Sequence, residues 1–303
     1  MKTVSVCNGI SCFRESANEV KMPISINYTS EINPDAIMVA DANHPEDIPY
    51  KLGDITKWRE WDIDWSLVDL LVGGTPCQGL SRAHNGRENL KDFRSILFYT
   101  YVDIKNNLMK CNPNAHFLLE NVKPDKVTLA IMNEEIGIEP MEINSNLVSA
   151  QNRKRMYWFN WEAEQPKDLG IVINDIIYDN SYKVFTDARI ENTKVKTKNY
   201  LKWDKSGKGY WSQQDRAYYL TGKMCTVPKA HPCDKLNIML GEGKYRRCHR
   251  IEAARLQTMP DGYCDCIKSD NKAIGLYGDG WTKSVIMHLL NALHESLRII
   301  YAN

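Results

Sequence analysis

Residues 68–81 read Val68-Asp69-Leu70-Leu71-Val72-Gly73-Gly74-Thr75-Pro76-Cys77-Gln78-Gly79-Leu80-Ser81. The near-continuous apolar run at 68–72 ends in two glycines, the pattern of a strand buried on both faces of a parallel sheet. In an open α/β sheet, ligands bind beyond the carboxyl ends of the strands. A thiol between proline and glutamine, just past such an end, therefore belongs to an exposed turn and not to a core.

The chain on either side fits that frame. Residues 4–7, 24–31, 116–119, 144–149 and 157–159 read as strands, and residues 33–43 as a helix. Residues 92–109 carry Phe93, Ile96, Leu97, Tyr101 and Ile104 at helical spacing. Strands alternating with helices predict an α/β fold, a parallel sheet wrapped by helices. After Trp161 the pattern changes. Residues 162–246 are polar, basic and rich in Tyr, Trp, Gly and Pro, without clear periodicity. Order returns at 251–256 and 285–300, where Ile286, Leu289, Leu290, Leu293, Leu297 and Ile300 make one apolar stripe of a helix. The division expected is 1–160, a second domain at 161–246, and a return to the first at 247–303.

Composition narrows the function. With 43% hydrophobic and 25% charged residues over 303 positions the chain is globular and not disordered. Its apolar runs fall far short of the roughly 20 residues of a membrane helix. The first residues lack a signal peptide's apolar stretch, and nine scattered cysteines do not make a secreted disulfide scaffold. Reduced thiols in a cytoplasmic compartment are expected. The net charge of +1 hides an asymmetry, because residues 194–235 hold ten basic and three acidic side chains. A basic segment on a neutral chain predicts a polyanion held on one face. Cys225, His231 and Cys233, like Cys264 and Cys266, match no closed four-ligand pattern, so no metal is expected.

Two further polar clusters lie where strands should end: Glu120-Asn121-Val122, and Gln151-x-Arg153-x-Arg155. In an extended segment arginines at i and i+2 share a face. A thiol nucleophile, a carboxylate able to carry a proton and arginines to orient both are a coherent set for covalent catalysis. Each is weak evidence alone, since a single cysteine is more often a small buried hydrophobe. The three in this order are specific.

These clusters resemble the core motifs of the DNA (cytosine-5) methyltransferases, compact phage and bacterial members in particular. Arg247-x4-Glu252-x2-Arg255-Leu256-Gln257-x-Met259-Pro260 is similar to a late motif of that family, and Gly278-Asp279-Gly280-Trp281-Thr282 to its last. The resemblance covers about residues 1–160 and 245–303, and the gap falls where the family places its target-recognition region. It implies a Rossmann-like S-adenosylmethionine-dependent methyltransferase sheet with a second, smaller domain that recognises double-stranded DNA. It implies that Cys77 adds to C6 of a flipped-out cytosine, that Glu120 contacts N3 and the exocyclic amine, and that Arg155 and Arg153 orient the base. A methyl group then passes from S-adenosylmethionine to C5. Cofactor contacts fall, by resemblance, on Cys7, Asn8, Gly9, Ile10, Glu31, Ile32, Asp54, Ile55, Pro76, Leu97, Asp279, Trp281 and Lys283. Gln78 and Ser81, with Lys202, Lys205, Lys208 and Arg216 of the basic segment, are the expected nucleic-acid contacts. Cys7 replaces the family's usual Phe, Asn8 stands where Asp is common, Phe13 where Gly is common, Asp279 where Asn is usual and Lys283 where an apolar residue is typical.

Three alternatives stand beside this reading. One is a modified S-adenosylmethionine donor, paired with Lys283, that gives a larger C5 substituent. Another is a decayed homologue that only binds DNA. The third is a pyrimidine-C5 enzyme acting on RNA. No obligate protein partner is evident, and a restriction endonuclease would be encoded separately.

Overall fold

Strand and helix alternate along the first half of the chain as the apolar runs predict. The order is β1 (Lys2–Val6), α1 (Cys12–Glu19), β2 (Ile26–Ser30), α2 (Pro34–Asn43), β3 (Leu70–Gly74), α3 (Ile96–Cys111), β4 (His116–Val122), α4 (Lys126–Ile136), β5 (Met141–Asn144), β6 (Gln151–Asn152) and β7 (Lys154–Phe159). The computed structural model describes residues 1–75, 96–178, 183–190, 193, 196–203, 213–230 and 232–302. Pro76, Cys77, Gln78, Ser81, Lys205, Lys208 and His231 lie outside the described residues, as does the start of the helix read over 92–109.

Six strands form the main sheet in the order β2-β1-β3-β4-β7-β5. β1 runs parallel to β2 and β3, and β3 parallel to β4. The parallel pairing expected from the sequence holds from β2 to β4, and β7 adds an antiparallel neighbour to β4. β7 follows β5, its neighbour in the sheet, after residues 145–153 alone. A parallel crossover needs about a dozen residues or more, so β7 enters reversed. The strand expected over 144–149 ends at Asn144, whose side chain accepts from the amides of Asn146 and Arg153 and turns the chain into a short 3-10 segment.

Leu70, Leu71 and Val72 are fully buried, and α3 packs Phe98, Tyr101, Ile104 and Leu108 into one core with Leu71. Gly73 is required there. A Cβ on it would lie 2.7 Å from Val6 Cγ2 and 2.9 Å from the Tyr101 ring. Helix starts follow the caps in the sequence: Asn33 accepts from the Asp35 amide at α2, and Asp125 from the Thr128 amide at α4.

The aperiodic segment contains a sheet. Here lie β8 (Val184–Thr186), β9 (Tyr200–Lys202), β10 (Arg216–Tyr218), β11 (Met224–Cys225), α5 (Pro232–Lys235), β12 (Asn237–Gly241) and β13 (Lys244–Arg247). Five of the strands pair in the order β8-β13-β12-β10-β9, while β6 and β11 make a separate parallel pair. Strands of three to five residues are too short for alternation to register in the sequence. Then come α6 (Arg250–Leu256), α7 (Asp270–Asp279) and α8 (Lys283–Ala302).

The chain divides into two compact units, residues 1–143, 154–165 and 286–303 in one, and residues 144–153 and 166–285 in the other. The last helix joins the first unit from Ile286 on, with Trp161 Nε1 donating to the Leu289 carbonyl. Residues 247–285, which the sequence division grouped with the first domain, fall in the second unit. No helix among the described residues is long and apolar enough to cross a membrane.

Candidate active site

Glu120 comes near the end of β4 with its side chain buried, and Arg155 comes from β7. Val122 pairs with Arg155 across the antiparallel ladder, which puts Glu120 diagonally opposite on the same face. Arg155 Nε lies 2.9 Å from Glu120 Oε1. A guanidinium at that distance orients the carboxyl group and leaves it acceptor capacity for a further partner. Asn121, on the opposite face, donates from Nδ2 to Thr75 Oγ1 at 3.0 Å and accepts the Val122 amide. Two residues beyond Thr75 in the chain is Cys77.

Arg153 does not join Arg155. The strand breaks at Arg153, between β6 and β7, so the alternation that would put both arginines on one face is lost. The Arg153 guanidinium donates instead to the carbonyls of Gly278 (3.2 Å) and Gly280 (2.8 Å), and it belongs to the second unit. This corrects the expectation of a catalytic pair: the partner of Glu120 is Arg155.

The late motifs fold into the interior of the second unit. Gln257 is fully buried, donates to the Tyr277 carbonyl, and accepts from Gln151 Nε2 (3.0 Å) and Thr282 Oγ1 (2.9 Å). Arg255 grips Asp261 through two hydrogen bonds of 2.9 and 2.6 Å and donates to the Ile177 carbonyl. Glu252 is held by Arg246, the residue before Arg247 of the late motif, in a bidentate pair of 2.9 and 2.6 Å with both side chains wholly buried. Of the residues read as cofactor contacts in the last motif, Asp279 pairs with Lys229 Nζ at 2.6 Å. Lys283 is buried, and its backbone amide donates to the Gln257 carbonyl at 2.9 Å, which fastens the start of α8 to the end of α6.

The turn after β1 lies in the first unit, as do the ends of β2 and β3. Glu31 takes the Gly9 amide on one carboxylate oxygen (2.7 Å) and the Ile32 and Asn33 amides on the other (2.8 Å each). It thereby ties the turn after β1 to the turn after β2. Ile32, beside it, leaves 71% of its surface exposed, an apolar face with little protein cover. Asp54 caps the next turn through the Thr56 amide, Ile55 is buried and Leu97 is half-buried against the same core. Asn8 links Ser5 to Ser11 by hydrogen bonds of 2.8 and 2.6 Å. The backbone is left-handed at Cys7, Gly9 and Ser11. Ser11, not Phe13, thus takes the conformation that glycine adopts freely, while Phe13 is a buried core residue. Ile10 is buried as well. Burial, with the Glu31 and Asp54 carboxylates nearby, pushes the Cys7 thiol up to about 12. That direction disfavours the thiolate, the nucleophilic form of the side chain.

In the second unit, the Arg216 guanidinium sits over the Tyr200 ring at 4.9 Å, and Tyr200 packs against Tyr218. Trp203 and Tyr218 are buried, so part of the aromatic content of this segment is its own core. Lys202 is half-buried on β9. No group of three or more potential metal ligands occurs among the described residues.

The sequence profile described as C-5 cytosine-specific DNA methylase matches residues 1–295. The chain belongs to this family. Within the family's curated members, the type II methyltransferase M.NlaIV of Neisseria lactamica is 30% identical over 208 residues, 66% of this chain and 46% of that protein. The orphan methyltransferase M.Rho11sI of Bacillus phage rho11s is 34% identical over 168 residues, covering 52% of this chain and 32% of its own length. The chain thus spans about a third to a half of these two relatives. The match to the type II methyltransferase M1.ScrFI of Lactococcus lactis subsp. cremoris runs over 98% of this chain and 77% of that one, at 28% identity. Among solved structures, the S. pombe Dnmt2 methyltransferase aligns over 98% of this chain and 99% of its own, with a TM-score of 0.65 at 18% identity. The Entamoeba histolytica methyltransferase EhMeth aligns over 98% of both chains with a TM-score of 0.69 at 14% identity. These likenesses show the methyltransferase fold.

Proposed function

We propose that the protein methylates cytosine at C5 in double-stranded DNA, using S-adenosylmethionine. The observation that carries this reading is the Glu120–Arg155 pair, 2.9 Å apart at the end of β4. That strand lies beside β3, from which the chain runs on to Cys77. The residues at the ends of β1 and β2 fit the cofactor. Glu31 keeps one lone pair, on the oxygen that accepts the Gly9 amide, for a ribose hydroxyl, and the exposed Ile32 face gives the adenine ring an apolar surface. Cys7, Asn8, Gly9, Ile10, Asp54, Ile55, Pro76 and Leu97 complete that set. Bound there, S-adenosylmethionine supplies an electrophilic methyl group.

The chain's own residues do the rest. C5 of cytosine is a poor nucleophile until the ring is activated. Cys77 adds as thiolate to C6 and forms a carbon–sulfur bond. Glu120, oriented by Arg155, holds N3 and the exocyclic amine and delivers a proton to N3 as electrons move onto the ring. After transfer, water takes the C5 proton, the electrons of that bond expel the Cys77 thiolate from C6, and the N3 proton returns to Glu120, which regenerates both side chains. The base must be out of the helix for this approach, at a cost of a few kcal/mol. Gln78 and Ser81, which follow the nucleophile in the chain, contact the DNA around the vacated position. Lys202, Lys205, Lys208 and Arg216 supply phosphate contacts from the second unit, and the names of the relatives support both a role beside a separately encoded endonuclease and an orphan role.

Duplex DNA carrying 5-fluorocytosine at the target tests this chemistry, because fluorine at C5 cannot leave as a proton does. With cofactor present, a denaturation-stable protein–DNA adduct is expected from the wild type and none from Cys77→Ala. A wild type that binds the duplex but never forms the adduct refutes the mechanism.

A further inference from the structure

Asn121 has no part in the steps above, yet it is one of the most thoroughly buried polar side chains of the sheet, at 1% exposure. β3 and β4 pair in parallel register, with Gly74 opposite Glu120. Side chains alternate between faces, so the next residues, Thr75 and Asn121, are opposite one another on the face away from Glu120. There the Asn121 amide donates to the Thr75 hydroxyl at 3.0 Å, and its carbonyl oxygen accepts the Val122 amide. Thr75 is itself buried, at 4% exposure. The amide is thus spent on two groups, one in its own strand and one just past the strand that leads to the nucleophile.

We infer that Asn121 and Thr75 are positioning residues. Their hydrogen bond fixes the chain two residues before Cys77 against the strand that carries Glu120, and so sets nucleophile and proton donor in register. The inference rests on the reaction proposed above. Both partners are buried, so removal of one leaves the other without this bond in a dry site. Because reacting groups must be placed to within about an ångström, the effect should fall on the chemical step and not on DNA binding.

The test uses the full-length protein and the same 5-fluorocytosine duplex, with adduct formation followed in time under single-turnover conditions. Thr75→Val keeps the shape of the side chain and removes its hydroxyl. It is expected to slow adduct formation about tenfold while the dissociation constant for unmodified duplex stays within about twofold. Thr75→Ser restores the hydroxyl and should restore the rate. Asn121→Ala, which also removes the acceptor of the Val122 amide, should slow the reaction at least as much as Thr75→Val. A Thr75→Val rate equal to wild type overturns the inference. So does a slow Thr75→Ser, or a loss of DNA affinity and thermal stability in step with the rate, which marks a purely structural role. Failure of the wild type to form any adduct is a different result and removes the underlying reaction as well.

Discussion

At the scale of single residues, chemistry-bearing side chains divide between a reaction site and a scaffold, and the sequence does not say which is which. Arg246 and Glu252 are both wholly buried and bonded to each other twice. Removing one member leaves an uncompensated charge in the interior. Glu252→Ala is therefore expected to cost about 3–5 kcal/mol in urea or thermal unfolding, and the apolar double replacement Arg246→Met with Glu252→Leu much less. Equal losses in the two variants would show that the pair stabilises by more than mutual neutralisation. Glu120 and its motif are legible because an acidic residue at the end of an apolar run has few structural uses. Arg153 is misplaced by spacing alone, which predicts a shared face that a break in the strand removes. Which of the adjacent Arg246 and Arg247 meets Glu252 is a matter of side-chain parity on β13, which strand pairing decides. The Thr75–Asn121 contact carries one usable signal, equal distance from the starts of two adjacent parallel strands, but the register that gives it meaning is not in the sequence.

At the scale of elements, continuous apolar runs and long apolar stripes are legible and short strands without them are not. β3, α3, β4 and α8 announce themselves by apolar runs or stripes that burial requires. The strands of the second sheet are too short to display a period, and the reversal of β7 depends on the length of a connection. Caps are the local signals that do carry through. Asp125 accepts the Thr128 amide at the start of α4 and also the Thr128 hydroxyl. That amide, first among several donors, holds the Asp125 carboxyl below the usual carboxylate range. A depressed carboxylate contributes stability that is complete above its unfolded value of about 3.9 and is lost as the pH falls through its folded value. Asp125→Ala is expected to cost about 1 kcal/mol near neutral pH. The gap between variant and wild type should close as unfolding is measured at progressively lower pH below about 4. A gap that stays constant with pH would contradict a capping carboxylate.

At the scale of the whole molecule, the two compact units carry different parts of the proposed activity. The first holds Glu120, Arg155 and the strand ends that fit the cofactor; the second holds the basic segment and the buried network around Gln257. Function is legible at this scale because three motifs in fixed order specify one family, whereas the departures at Cys7, Asn8, Asp279 and Lys283 leave the donor to experiment. The direct measurement is mass spectrometry of nucleosides from duplex DNA incubated with the protein and S-adenosylmethionine, with Cys77→Ala alongside. 5-Methylcytosine is expected from the wild type and none from the variant. DNA left unmodified by a folded, DNA-binding wild type, or modified only by a heavier C5 substituent when another donor is supplied, would contradict that expectation.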